Sequence, residues 1–195
     1  MRRFPIPIPS AVSKSAATFR TWLAKNHAKS DGFWLRIYKR NSGQQTVSYD
    51  EAVEQALCFG WIDGKKQSYD EDSFLQRFTP RRARSPWSKT NTVRVERLIA
   101  DGQMQPAGMA QIEAAKRDGR WDRAYAGQSE VQAPDDLLAA LAKNKKARAL
   151  YEQLTKSELY SVLYRLHSAK RPETRTRRLK QTLENLAAGL RPRDW

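Results

Sequence analysis

The sequence predicts an α+β fold: a small mostly antiparallel sheet packed with helices, plus an all-helical C-terminal part. Three observations lead there. Strand-like alternation is confined to the first 80 residues. From Ser85 onward helical spacing and capping signals take over. Between two helix-rich stretches, 127–134 is small, polar and aperiodic, as a linker would be. With 195 residues, six Trp, seven Tyr and six Phe, the chain has ample material for a core. No apolar run approaches the ~20 residues that a membrane span needs. The expected organisation is an extended Pro-rich arm over 1–12, an α+β core over 13–126, a linker over 127–134 and a helical region over 135–190.

The elements follow in order. Met1-Arg2-Arg3-Phe4-Pro5-Ile6-Pro7-Ile8-Pro9 begins like a secretory signal, but proline interrupts it before an apolar core develops. Alternating prolines favour an extended arm. Ser13 to about Lys29 reads as an amphipathic helix with Ala17, Trp22 and Leu23 inward, and Ser30-Asp31-Gly32 ends it. Phe33 to Arg40 alternates as a strand, with Phe33, Leu35 and Ile37 on one face. After the Asn41-Ser42-Gly43 turn, Ser48 and Glu51 form a capping box, opening a helix with Ala52, Val53, Ala56 and Leu57 buried.

That helix stops at Phe59-Gly60. Trp61-Ile62 is a short apolar piece, Asp63-Gly64-Lys65-Lys66 reads as a turn, and Ser73 to Thr79 is a strand stopped by Pro80. A helix runs to about Asp101 with Gly102 as its stop, and another lies between Pro106 and Gly119. Their spacing resembles a helix-turn-helix, yet the second is too small and apolar for reading a groove. Helices over Asp135–Lys143 and Lys145–Leu154 come next, then a second capping box at Thr155 and Glu158. The last helix runs from Pro172 to Gly189 with Leu179, Leu183 and Leu186 inward.

Charge narrows the partners. Lys and Arg number 36 against 21 Asp and Glu, a formal charge of +15. The excess appears in every third of the chain: 9 basic against 4 acidic residues over 1–60, 12 against 8 over 61–120, and 15 against 9 over 121–195. A single basic tail is therefore not the source. Two clusters are densest. One is Arg77, Arg81, Arg82, Arg84 and Lys89; the other is a basic helix with Lys170, Arg171, Arg175, Arg177, Arg178 and Lys180. Basic clusters serve either as solvated faces or as polyanion and phosphate surfaces.

The first cluster lies where a strand, a proline stop and a helix start fall within a few residues. Free N–H groups and the dipole at a helix N-terminus favour an anion. Arg77, Arg81, Arg82, Ser88 and Asn91 are accordingly the candidate anion-binding residues, with Trp61 and Trp87 as candidate flat walls for a ligand ring. Asp63, beside Lys65, is the candidate general base if the protein is an enzyme. One cysteine and two histidines, His27 and His167, give no paired-ligand metal spacing, and no glycine-rich phosphate loop is present, so no metal or cofactor is expected. Cys58, near a helix C-terminus between Leu57 and Phe59, reads as a buried thiol. His167 reads as a surface or satisfied histidine. A lone cysteine also fits a reducing compartment, and a cytoplasmic location is expected.

Cys58-Phe59-Gly60-Trp61-Ile62-Asp63-Gly64, Gln76 through Arg82, and Ser88-Lys89-Thr90-Asn91 resemble the YdeI/OmpD-associated family. Ser168 through Arg175, followed by Arg177-Arg178, resembles that family's helical bacteriocin-protection region. The resemblance spans about Phe33 to Gly189 and departs around Tyr164-Arg165-Leu166-His167. It implies a bacterial protein linked by family name to antimicrobial-peptide protection and to an outer-membrane protein, and it carries over no catalytic residue. A charge of +15 would repel a cationic peptide, so direct sequestration is not expected. The expected function is binding of an anionic ligand, nucleic acid or a phosphorylated small molecule. The alternatives are an enzyme acting on a phosphate- or carboxylate-bearing substrate, and a stress-linked module docking a protein through its C-terminal helices.

Overall fold

A computed structural model describes residues 10–127 and 131–195. The proline tract over 1–9 lies outside the described residues. The chain divides into two compact units: 10–87 with 91–123, and 88–90 with 124–195.

The first unit is a four-stranded sheet with helices. Its strands are β1 (Ser10–Val12), β2 (Phe33–Tyr38), β3 (Trp61–Ser68) and β4 (Ser73–Pro80), in the order β1-β2-β4-β3. The β2–β4 and β3–β4 pairs are antiparallel. β1 falls at the end of the expected 1–12 arm and pairs parallel with β2, Ser10 opposite Trp34, a pairing the sequence reading did not anticipate. Parallel neighbours need a crossover, and α1 (Ala16–Asn26) supplies it. α1 starts inside the expected helix, where Ser15 accepts from the Thr18 amide, and it buries Phe19 and Leu23 while Ala17 stays exposed. Phe19 packs on Phe33 and Phe78 at ring separations of 5.9 and 5.3 Å, so the Phe33, Leu35, Ile37 face of the sheet is the covered one.

The expected turn at Asp63-Gly64-Lys65-Lys66 is overturned. β3 passes through it, and a bulge between Asp63 and Lys66 takes up the irregularity. The Gln76 amide donates to the Gly64 carbonyl at 2.9 Å and keeps the bulge tied to β4. The chain reverses instead at 69–72, where Asp70 accepts from the Asp72 amide and the Ser73 hydroxyl. α2 (Tyr49–Cys58) carries the capping box as expected, with Ala52, Val53, Ala56 and Leu57 buried. α3 (Lys89–Ala100) and α4 (Pro106–Arg117) complete the set, ended by Gly102 and Gly119 at positive φ. α4 backs directly onto α2: a Cβ at Gly108 would stand 2.3 Å from the Cys58 carbonyl oxygen, so only glycine permits the approach. That close packing, rather than groove reading, is what the small residues of α4 serve.

The second unit is helical throughout: α5 (Asp135–Ala142), α6 (Lys145–Tyr151), α7 (Lys156–His167) and α8 (Pro172–Ala187), followed by a 3-10 turn at Pro192–Asp194. Leu137, Leu141, Ala147, Val162, Leu163, Leu166 and Leu186 form its core. Leu179, Leu183 and Trp195 pack against that core, as do Val131 and Ala133 from the stretch expected to link. Ser88 bridges to Tyr125, and the Lys89 amide donates to the Tyr125 carbonyl at 2.9 Å.

Candidate functional site

The arginine cluster of the first unit is divided between core and surface: Arg81 is buried, Arg77 is half-buried, and Arg82 and Arg84 are exposed. Trp61 and Trp87 are each 1 % exposed, so neither forms a ligand wall; both are corrected to core residues. The Trp61 indole donates to the His27 carbonyl at 3.1 Å, and Trp87 packs on Trp121 with 5.1 Å between rings. Their size decided this, because a ring of that area stabilises the fold far more when buried. Arg81 is also buried, its guanidinium 3.9 Å from the centre of the Trp87 ring and donating to the Pro86 carbonyl at 2.7 Å. Arg77 leans over Trp34 on the sheet, Asn91 is buried in α3, Ser88 belongs to the second unit, and Arg82 is exposed.

Asp63, the candidate base, accepts a hydrogen bond from the Tyr49 hydroxyl at 2.7 Å. Burial, and then this bond, push the Tyr49 hydroxyl well above its ordinary value, so it remains a donor at neutral pH. Lys65 is exposed. Cys58 is buried, and burial pushes its thiol up, away from the thiolate a nucleophile needs. His27 and His167 each bond a backbone carbonyl, of Leu23 and Gln132, at 3.0 Å. Among the described residues no group of three His, Cys, Asp or Glu is placed to hold a metal.

The second unit holds a better-formed feature, a cleft of about 570 Å³ along α7 and α8. α7 contributes Ser161, Tyr164 and Arg165 and its C-cap contributes Ser168, one stripe at positions i, i+3, i+4 and i+7. The opposite stripe, with Val162, Leu163 and Leu166, is buried in the core, so burial of one face turns the other toward the cleft. α8 adds Arg177, Arg178 and Gln181, and the C-terminal turn adds Pro192 and Trp195. No acidic side chain is among the lining residues.

The sequence-predicted basic helix thus separates into residues with different tasks. Arg175 is bound to Asp136 through two contacts of 2.7 and 2.9 Å, which joins α8 to α5. The Arg175 guanidinium holds the Asp136 carboxyl below its usual range. Lys180 lies 3.9 Å from Glu184 one turn on. Lys170 and Arg171 occupy the turn between α7 and α8. Arg178 donates to the Arg165 carbonyl at 2.6 Å and to the Ser168 hydroxyl at 3.0 Å, which fixes it without neutralising it. Arg177 is exposed and has no hydrogen-bond or ion-pair partner among the described residues. Three guanidinium groups in a lining that contains no acidic side chain are suited to chelating a phosphate or carboxylate.

Arg165, Tyr164 and Trp195 were not anticipated as site residues. The polar stripe on α7 was the available signal for the first two. Trp195 is held by a feature that no local pattern announces. Glu158 closes the capping box with Thr155 and also accepts from Arg191 at 2.8 Å, anchoring the C-terminal turn to the start of α7. The Arg165 guanidinium lies 5.9 Å from the centre of the Trp195 ring.

Fold and cleft define a basic two-unit protein: an α+β unit with one buried arginine, Arg81, and a helical unit carrying an arginine-lined cleft. Residues 11–111 match the family described as Domain of unknown function (DUF8412), just over half of the 195 residues, and the chain belongs to that family. Residues 130–189 match the family model described as Bacteriocin-protection, YdeI or OmpD-Associated. The resemblance to the latter therefore holds for the C-terminal part. The blocks around Cys58–Gly64 and Gln76–Arg82 fall in the part matched by the other family, which corrects the expected extent. Neither a curated protein nor a solved structure matches the chain.

Proposed function

We propose that this protein binds a phosphate-bearing anion in the cleft between α7 and α8. The observation that carries the reading is the convergence of Arg165, Arg177 and Arg178 on one cleft with no acidic side chain in its lining. Arg178 is already oriented by two hydrogen bonds, which lowers the ordering cost of binding. The formal charge of +15 adds long-range attraction for anions and opposes capture of a cationic peptide. A link to bacteriocin protection, named in the family matched by 130–189, is then indirect and runs through an anionic ligand. The proposal sets this binding in the cytoplasm, because Cys58 is the sole cysteine and the fold uses no disulfide.

Fluorescence anisotropy with short 5′-phosphorylated DNA and RNA, together with calorimetry using pyrophosphate, tests the reading. Three phosphate contacts predict roughly twentyfold weaker binding of a single strand between about 50 and 200 mM salt. Replacing Arg177 or Arg165 by Glu is expected to weaken every anion at least tenfold, while Arg82→Glu changes affinity about twofold or less. Equal affinity of wild type and the Arg177 and Arg165 variants for all of these anions would sink the proposal.

A further inference from the structure

Resting on that reading, we infer that the cleft takes a nucleotide unit, a phosphate joined to a planar base, rather than a bare oxyanion. Space is the first argument. About 570 Å³ falls within the roughly 300–1,000 Å³ of small-molecule pockets and far exceeds what one phosphate fills. The guanidinium groups thus account for one part of the cleft and leave room for a further group beside a bound phosphate.

The remaining lining says what that is. Tyr164 and Trp195 bring two aromatic rings to the same cleft as the arginines. Trp195 is half-buried, and its Nε1 donates to the Leu190 carbonyl at 3.3 Å, which fixes the indole. Tyr164 stands edge-on to Tyr125 with 5.1 Å between ring centres and is steadied there. Aromatic rings held beside basic groups stack bases whatever their identity. Ser161 and Gln181 each donate one hydrogen bond within their helix, to the Ser157 carbonyl and to Asn185 Oδ1, and keep acceptor capacity for a sugar hydroxyl or a base edge. Leu, Ile, Val and Met are absent from the lining, so a lipid tail would find no apolar trough. Phosphate, ring and polar edge within one cleft match a nucleotide better than a sugar phosphate or a phospholipid.

Calorimetry of the full chain with AMP, UMP, ribose 5-phosphate and pyrophosphate tests this. AMP and UMP are expected to bind at least tenfold tighter than ribose 5-phosphate. Trp195→Leu is expected to erase that preference, so that AMP, UMP and ribose 5-phosphate bind the variant within about twofold of one another. Trp195 also packs on the core of its unit, so Trp195→Phe, which retains a ring, should keep most of the preference and guards against misfolding. A 5′-phosphorylated tetranucleotide separates the two sources: tighter binding than AMP indicates a strand end, and equal binding a free nucleotide, either outcome supporting the base. If ribose 5-phosphate binds as tightly as AMP, the nucleotide inference is overturned and the anion reading stands. If pyrophosphate and all three phosphate esters fail to bind, the anion reading itself falls.

Discussion

Arg81 and Arg82 are adjacent in sequence and opposite in role. Arg82 is exposed to water. Arg81 is 6 % exposed, stacked on Trp87 and bonded to the Pro86 carbonyl. A desolvated cation–π contact contributes about 2 kcal/mol, and the buried hydrogen bond adds to it. Arg81→Ala is therefore expected to cost about 2–3 kcal/mol in urea unfolding, whereas Arg82→Ala stays within about 0.5 kcal/mol. Equal midpoints for the two variants would refute the distinction. Trp61 and Trp87 follow the same logic at the scale of one side chain. Their identity marked them as notable, and only the packing shows that they serve the core.

At the scale of elements, capping boxes were legible at Ser48 and Thr155 because each is written in four consecutive residues. The hairpin was misread, because Asp63-Gly64 has turn chemistry while the pairing of β3 with β4 outweighs it. β1 was missed for the related reason that three residues gain their stability from β2, not from themselves. Glu158 shows how one element positions another. Hydrogen bonds from the Thr155 amide and hydroxyl, then Arg191, hold its carboxyl below the ordinary 4.5. Its contribution is thus fully present above 4.5 and is lost as pH falls through the depressed folded value. Acidification below the usual carboxylate range is expected to release the C-terminal turn from α7. Glu158→Gln should produce that release at neutral pH, visible as faster amide exchange over 190–195. Unchanged exchange in the variant would show that Arg191 and Glu158 do not hold the turn.

Over the whole molecule, charge dominates. A formal +15 repels itself, and the repulsion is screened as the Debye length shrinks. Raising salt from about 10 to about 150 mM is expected to raise Tm by a few degrees while weakening anion binding. A falling Tm over that range would mean that ion pairs such as Arg36 with Asp70 and Arg175 with Asp136 outweigh the repulsion. Charge also explains why the sequence pointed to two basic clusters with equal force. Counting arginines does not tell a guanidinium inside a core from one at a cleft.

By itself the sequence determined the two capping boxes, the glycine stops at Gly102 and Gly119, the alternating faces of β2, the basic character and the absence of paired metal-ligand spacing, because each is encoded in a few neighbouring residues. Tertiary structure decided which arginines face water, where the hairpin turns and what closes the cleft. Arg175 goes to Asp136, Arg178 to the end of α7, and Trp195 is brought to α7 by Arg191 and Glu158. Those partners are 39, 13 and 33 positions apart in the chain, and pairings at such separations are set by packing rather than by any local pattern.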